Sequence, residues 1–460
     1  MSEREFDVVV IGAGPAGEVC AGRLGKGGLE VAIAEQHLVG GECSYYGCMP
    51  SKAMLRPAEA LAEARRIPGA AEAAAGTLDV RAALARRDEV IHGQDDSSQL
   101  PWLEDRGVTL VRGHARIEGE RAVRVGDELL RARRAVVIAV GTEAALPPIP
   151  GLAEAQPWTN RQSTTSEDVP ARLVVIGGGT VGVEMAQAYA SFGSEVTVIE
   201  AAERVLAHEE DFAGELVCEG LARNGVTVLA NTKVTAVRRG QPGGEVRVEL
   251  DGREPVTGDQ VLVAVGRRQL TADIGLDAIG LEPGGPVEVD DALRAPGHEW
   301  LYVVGDANGR ALLTHMGKYQ ARVAADRILG DERARIRPLA DGPLSPRVTF
   351  TDPQVAAVGH TLASAREAGI DARCVEVQTS GSAGGSFYGH NAPGTTRIVV
   401  DETRRVIVGA TFVGAEIQDF LHAATIAVVG EVALEDLVHA VPSFPTRSEV
   451  WLQLLEAYGL

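Results

Sequence analysis

One stretch of sequence occurs twice in this chain, and it constrains the fold more than anything else. Phe6-Asp-Val-Val-Val-Ile-Gly12-Ala-Gly14-Pro-Ala-Gly17 reads as a buried strand turning into a helix, and the next strand, Glu30-Val-Ala-Ile-Ala-Glu35, ends in an acid. Leu173-Val-Val-Ile-Gly177-Gly-Gly179-Thr-Val-Gly182 repeats the pattern and is followed by Glu195-Val-Thr-Val-Ile-Glu200. Gly12 to Glu35 and Gly177 to Glu200 are each 23 positions apart. The first glycine makes a tight turn, the second lets backbone approach a pyrophosphate, and the third allows close helix packing. The acid is placed to hold a ribose hydroxyl. Two such units on one chain imply electron traffic between two bound dinucleotides.

Three more strands end at glycine. Ala135-Val-Val-Ile-Ala-Val-Gly141-Thr142 and Gln260-Val-Leu-Val-Ala-Val-Gly266-Arg267 fit points where the chain leaves one domain for another. Trp300-Leu-Tyr-Val-Val-Gly305-Asp306 puts a carboxylate at the carboxyl end of its strand, where open α/β sheets hold ligands. A helix cap is the plainer reading of that Asp.

Charge limits the partners. Lys plus Arg number 44 against 64 for Asp plus Glu, a net charge of -20 over 460 residues. Such a surface repels phosphate backbones and acidic membrane faces, so nucleic acid and membrane are not expected partners. No uninterrupted apolar run reaches the ~18–20 residues of a membrane helix. The charged start leads straight into a strand-like run rather than a leader peptide. Five cysteines in a chain of this length fit a reducing compartment, and a cytoplasmic location is expected.

Two of those cysteines stand together in Gly40-Gly-Glu-Cys43-Ser-Tyr-Tyr-Gly47-Cys48-Met-Pro-Ser-Lys52. Five positions on a continuous helix add about 7.5 Å of rise, more than the Cα separation of about 4.4–6.8 Å that a disulfide takes. If the two bridge, the backbone must break between them, and Gly47 permits that. The helix start after the pair and the charge of Lys52 each favour a thiolate. Cys20, Cys218 and Cys374 are isolated and read as structural thiols.

With these motifs the chain resembles, over nearly its whole length, the class I pyridine nucleotide-disulfide oxidoreductases, the flavoprotein group of dihydrolipoamide dehydrogenase, glutathione reductase and mercuric reductase. Leu312-Leu-Thr-His315, Phe350-Thr-Asp-Pro353 and Pro445-Thr446-x-Ser448-Glu449 carry the resemblance further. It implies an α/β chain with two Rossmann-like dinucleotide-binding domains, for FAD and NAD, plus a C-terminal α+β dimerisation domain. The expected division is an FAD domain over 1–150 completed by 275–340, an NAD domain over 151–274 and an interface domain over 341–460. FAD would lie on Gly12, Gly14 and Gly17, with Glu35 on the adenosine ribose and Asp306 on the ribityl chain. The nicotinamide cofactor would lie on Gly177, Gly179, Gly182 and Glu200. Gly141, Gly266 and Arg267 are further expected cofactor contacts. Cys48 would face the flavin and Cys43 would meet substrate. Lys52 and Glu184 look like the family's ion pair beside the flavin. A homodimer with shared active sites follows, and no metal site is expected.

Departures from the family matter as much. Its interchange base is a His directly before Pro-Thr; here that position is Phe444, and a phenyl ring takes no proton. Losing a general base typically costs ~10²–10⁴ in rate. Glu449, the partner of that His in the family, is then an orphan carboxylate, a substitute base, a contact for a cationic substrate group or a helix-capping acid. Thr180 stands where many relatives have an aromatic gate over the nicotinamide pocket. Glu42, Tyr45 and Tyr46 replace smaller or neutral residues in the redox loop, and the two tyrosines read as packing more than as an aromatic substrate pocket. Glu200 repels a 2′-phosphate, which favours NAD over NADP.

The leading function is electron transfer between NAD(H) and a small disulfide or dithiol through Cys43 and Cys48. The competing reading is an NADH oxidase, quinone or dye reductase working from the flavin directly, which accounts for Phe444 without further assumption. Mercuric reductase fits less well, since no metal-binding cysteine module precedes the first fingerprint and no cysteine follows Cys374. A non-catalytic flavoprotein subunit is the remaining alternative.

Overall fold

The doubled pattern folds as its hydrophobicity dictates. In the computed structural model, which describes residues 2–390 and 392–460, the run Val8–Ile11 lies in a strand, Ser2–Ile11, buried on both faces. It pairs in parallel with Val31–Glu35 and with Glu128–Ile138, and Val31–Glu35 pairs with Val108–Arg112. Leu301–Val303 adds a further parallel strand beside Glu128–Ile138, and the antiparallel strands Ala122–Val125 and Ala115–Gly119 extend the sheet. Near-continuous Val and Ile runs are what parallel strands covered by helices require. Each such side chain, once fully buried, stabilises by roughly 1.5–3 kcal/mol.

The chain divides into two units. The first holds the residues up to Pro50, Asp88–Ala144 and Arg267–Gly342; the second holds Ser51–Arg87, Ala145–Gly266 and Pro343–Leu460. The chain thus changes unit within a few residues of Gly141 and directly after Gly266, the two strand-end glycines singled out in the sequence.

In the first unit, the helix Pro15–Lys26 follows the first fingerprint and packs on the helix Thr314–Leu329. The second unit repeats the parallel arrangement with Thr227–Leu229, Glu195–Ile199, Arg172–Ile176 and Gln260–Val263. Its fingerprint helix, Thr180–Ser191, is buried along most of its length. A five-stranded antiparallel sheet follows, ordered Arg347–Thr349, Gln354–Gly359, Val406–Gly414, Thr395–Asp401 and Ala372–Gln378. The helices Leu421–Val429 and Val450–Tyr458 pack on it. The architecture is the expected one, two dinucleotide-binding sheets and a C-terminal α+β region. Among the described residues no helix is long and apolar enough to cross a membrane.

Candidate active site

Both fingerprints close in the same way. Gly12 has φ +100° and Gly177 φ +108°, backbone that a side chain would strain. A methyl at either would also collide with a carbonyl oxygen, of Ala139 and Ala264 respectively. A methyl at Gly17 or Gly182 would strike the carbonyl of Gly12 or Gly177, whereas one at Gly14 or Gly179 would meet no protein atom within 4 Å. The middle glycine therefore borders open space at a helix N-terminus that no side chain caps, a place suited to an anion. Glu35 accepts hydrogen bonds from the Ala13 and His37 N–H groups, each at 2.7 Å. Glu200 accepts from Gly178 and Ala202 at 2.6 Å each. Open cradles beside fixed acids fit two dinucleotides.

The strand-end residues of the first unit converge on one hydrogen-bonded chain. Gly141 delivers Thr142, whose hydroxyl donates to Asp306 Oδ2 at 2.5 Å. Arg267 donates to Thr142 Oγ1 at 2.7 Å and to its carbonyl at 2.9 Å, and lies 3.5 Å from Glu42. Burial pushes the Asp306 carboxyl up, opposed by the Thr142 hydrogen bond and the Arg267 charge and reinforced by Glu42. Asp306 thus takes part in a network rather than serving as a simple cap, and Glu42 belongs to it.

The cysteine pair sits at a backbone break. A short helix, Gly41–Tyr45, carries Cys43, and a new helix, Cys48–Arg66, begins at Cys48, with Gly47 between them. Both cysteines carry thiols here. Cys48 Sγ lies 3.3 Å from the Thr314 hydroxyl. The hydrogen bond from Cys43 to Cys48 pushes the Cys43 thiol up, followed by burial and the Cys48 charge; a Thr314 hydrogen bond and the Lys318 charge pull it back. The proton is therefore held on Cys43. Tyr45 is 1% exposed, so it packs inside this unit.

In the second unit, Lys52 Nζ meets Glu184 Oε2 at 2.7 Å, and Glu184 also accepts from the Phe350 N–H at 2.9 Å. Glu184 is 2% exposed, so its charge depends on these partners. The Lys52 ammonium also lies over the Phe350 ring. Thr180 is exposed and its hydroxyl stands 3.1 Å from that of Thr349. Phe444 is 77% exposed. Glu449 accepts from the Gly384 N–H at 2.8 Å, at the start of the short helix Ala383–Ser386. A methyl at Gly384 would collide with the Thr446 backbone, which keeps this loop against the Pro-Thr segment.

Sequence reasoning passed over Thr142, Thr314 and Lys318, which the structure brings to the strand-end and sulphur groups, and Glu18, which feels the charges of Lys318 and Glu35. Thr142 directly follows a flagged glycine and Thr314 lies in a quoted motif. Glu18 and Lys318 gave no signal except charge in otherwise apolar or small-residue surroundings.

Two dinucleotide cradles and a vicinal thiol pair define a pyridine-nucleotide-dependent redox flavoprotein. The chain belongs to the pyridine nucleotide-disulphide oxidoreductase family, whose model matches residues 6–325, and the family's dimerisation-domain model matches 345–455. It is a class I member and an NAD(P)H-dependent flavoprotein disulfide oxidoreductase, with FAD and a nicotinamide nucleotide as cofactors. Dihydrolipoyl dehydrogenase of Thermus scotoductus is 32% identical, over 99% of this chain and 97% of that one. Mercuric reductase of Staphylococcus aureus is 28% identical, over 97% of this chain and 81% of that one. The HOCl-induced flavoprotein disulfide reductase RclA of Escherichia coli, solved as a Cu(II) complex, shares the fold, with a TM-score of 0.86 at 24% identity over 98% of this chain and 99% of that one.

Proposed function

We propose that this protein moves an electron pair between NADH and a small disulfide or dithiol through Cys43 and Cys48, without a histidine base. The observation that carries this reading is the sulphur pair itself, hydrogen-bonded to each other and to Thr314 at the break between two helices. FAD, when bound, supplies the electron-pair relay between nicotinamide and sulphur. Gly12, Gly14, Gly17, Glu35, Gly141 and Asp306 would hold it. Gly177, Gly179, Gly182, Glu200 and Gly266 would serve the nucleotide side, with Glu200 selecting NADH over NADPH by repelling a 2′-phosphate, and Arg267, bonded to Thr142, would join the flavin side. The functional division follows as FAD binding by 1–150 with 275–340, NAD binding by 151–274 and dimer contact by 341–460, in a cytoplasmic homodimer with shared active sites.

In the disulfide-reducing direction, the Cys43 thiolate attacks one substrate sulphur and a mixed disulfide forms as the first thiolate leaves. Cys48 then attacks the Cys43 sulphur, closing their disulfide and releasing the second thiolate. Lys52, fixed by Glu184, is the proposed cation of the redox centre. Phe444 cannot take a proton, so a substrate whose thiols are already acidic suits this site better than an alkyl dithiol.

Rapid mixing of the flavin-loaded enzyme with NADH tests the reading. Uptake of two electron pairs and a long-wavelength thiolate–flavin band, altered in Cys43→Ser and lost in Cys48→Ser, is the expected result. The exposed, protonless Phe444 favours one rival, direct reduction of quinones or dyes. Undiminished quinone turnover in the double Ser variant, with disulfide reduction absent from the wild type, would establish that rival instead.

A further inference from the structure

The interchange thiol is carried by a segment too short to hold its own shape. The helix Gly41–Tyr45 has five residues, well below the ~12–15 that a helix needs to persist alone, so Cys43 depends on what grips its neighbours. We propose that Glu42 is a positioning residue for Cys43. Its ion pair with Arg267 anchors the redox loop to the strand-end network of Thr142 and Asp306, so that a filled flavin cradle and the register of the interchange thiol support each other. The inference rests on the cysteine route described above.

Every contact lies within the first unit. The loop is pinned at its start, where the Gly40 N–H donates to the Ala13 carbonyl at 2.8 Å and the Val39 N–H to Asp96 at 2.7 Å. Gly41 lies so close to the fingerprint that a methyl on it would stand 2.8 Å from the Gly14 Cα. At the other end Cys48 opens the long helix, and Thr314 touches its sulphur. Between these two fixings the Glu42 carboxylate reaches the Arg267 guanidinium at 3.5 Å, and the two side chains are only 21% and 23% exposed.

Arg267 is held independently of Glu42. It donates through Nε to the Thr142 hydroxyl and through Nη2 to the Thr142 carbonyl. Its backbone pairs with Ala144 in a two-stranded ribbon formed by Thr142–Ala144 and Arg267–Gln269. Two N–H groups of a planar fork engaged on one residue fix the plane of the guanidinium, so its charge is offered to Glu42 at a set place. Thr142 in turn donates to Asp306 Oδ2 at 2.5 Å, and the Glu42 charge is felt at Asp306. A continuous chain thus runs from the residue beside Cys43 to the carboxylate that would hold FAD.

An ion pair between two free surface arms contributes little, because both side chains lose rotamer freedom on pairing. Here the guanidinium is already ordered by Thr142, so only the Glu42 side chain remains to be fixed. The tether acts locally, on the balance between a held and a released loop, and leaves the sheets alone. Coupling between two sites is reciprocal: what the filled cradle contributes to holding Glu42, the held loop returns to the cradle. A small apolar residue at position 42 breaks the link and leaves both cysteines in the chain.

The test is amide hydrogen exchange of the flavin-loaded enzyme, read by mass spectrometry over residues 41–47, together with the thiolate–flavin band of the NADH-reduced form. Glu42→Ala should speed exchange over 41–47 about threefold, as fits a partly exposed pair, and weaken the band. The strand residues Val8–Ile11 should stay as protected as in the wild type. Flavin affinity, read by fluorescence on serial dilution of the holoenzyme, should fall by about the same factor. Glu42→Gln, which keeps an acceptor of the same length, should recover part of each loss. The double variant Glu42→Ala/Arg267→Met should exchange no faster than Arg267→Met alone, since both changes cut one link; Arg267→Gln takes the place of the Met variant if that one does not fold. Unchanged exchange over 41–47 with an unchanged band in Glu42→Ala would overturn the proposal. So would losses that multiply in the double variant, or faster exchange that spreads to Val8–Ile11. Wild-type disulfide turnover in Cys43→Ser would instead sink the cysteine route, and the two failures are thereby distinguishable.

Discussion

The two fingerprints are copies in their backbone and opposites in the charge they carry just beyond it. Each closes on three glycines, and each holds its acid between two backbone N–H groups at 2.6–2.7 Å. The first helix then places Glu18 after its last glycine, half-buried, with its carboxyl pushed up by burial. The second places Val183 there, fully buried in an apolar cluster, and then Glu184, committed to Lys52 and the Phe350 N–H. The backbone of the cradle is thus repeated, while the charge just beyond it differs through one or two residues that the repeat leaves free.

The sharpest way to break the comparison is at the third glycine. Gly17→Val and Gly182→Val both force a side chain onto a carbonyl oxygen, a clash expected to exceed roughly 3 kcal/mol. Gly17→Val should give protein without flavin absorbance. Gly182→Val should retain the flavin but lose its bleaching by NADH. Identical phenotypes would mean that the two cradles are not functionally separate.

Next in size is the buried ion pair. Lys52→Met leaves Glu184 without its cation, and the loss should be about 2–4 kcal/mol, discounted because Lys52 is one-third exposed. Thermal unfolding checks it, and the double variant Lys52→Met/Glu184→Leu should recover most of the loss. Glu18 should behave in the opposite sense. Its folded carboxyl titrates near 7 against an ordinary 4.5, so the folded state holds that proton more tightly. The resulting stability is whole below about 4.5 and gone once pH has passed about 7. Between pH 5 and 8 the wild type should therefore lose up to about 3 kcal/mol that Glu18→Gln does not lose; parallel Tm-against-pH curves would refute it. The smallest effect concerns the acids. Glu200→Ala should weaken NADH use about tenfold and narrow the NADH/NADPH ratio of kcat/KM, while the flavin content stays unchanged.

The fold was legible because its signals are local. Glycine spacing, Val/Ile runs and terminal acids all lie within one strand–helix–strand segment. The break between Cys43 and Cys48 was legible for the same reason, since rise per residue and Gly47 sit in six consecutive positions. The site was less so. Thr314 reaches Cys48 across 266 positions of chain, and Thr142 reaches Asp306 across 164; only the sheet order brings them together. Phe444 reads in the sequence as the loss of a base, but the hydrogen bond from the Gly384 N–H to Glu449 depends on a loop 65 residues earlier. Glu18 drew no notice in the sequence, though it is an acid in the first turn of a helix. Its raised titration comes from helix packing that no short window contains.

The two strand-end carboxylates are immobilised by their own backbone before any ribose arrives. A nucleotide docking there freezes no further rotamers, so little of its binding energy is spent on ordering the protein. That economy should appear as slow departure rather than fast arrival, giving a flavin with a long residence time that survives dilution and dialysis.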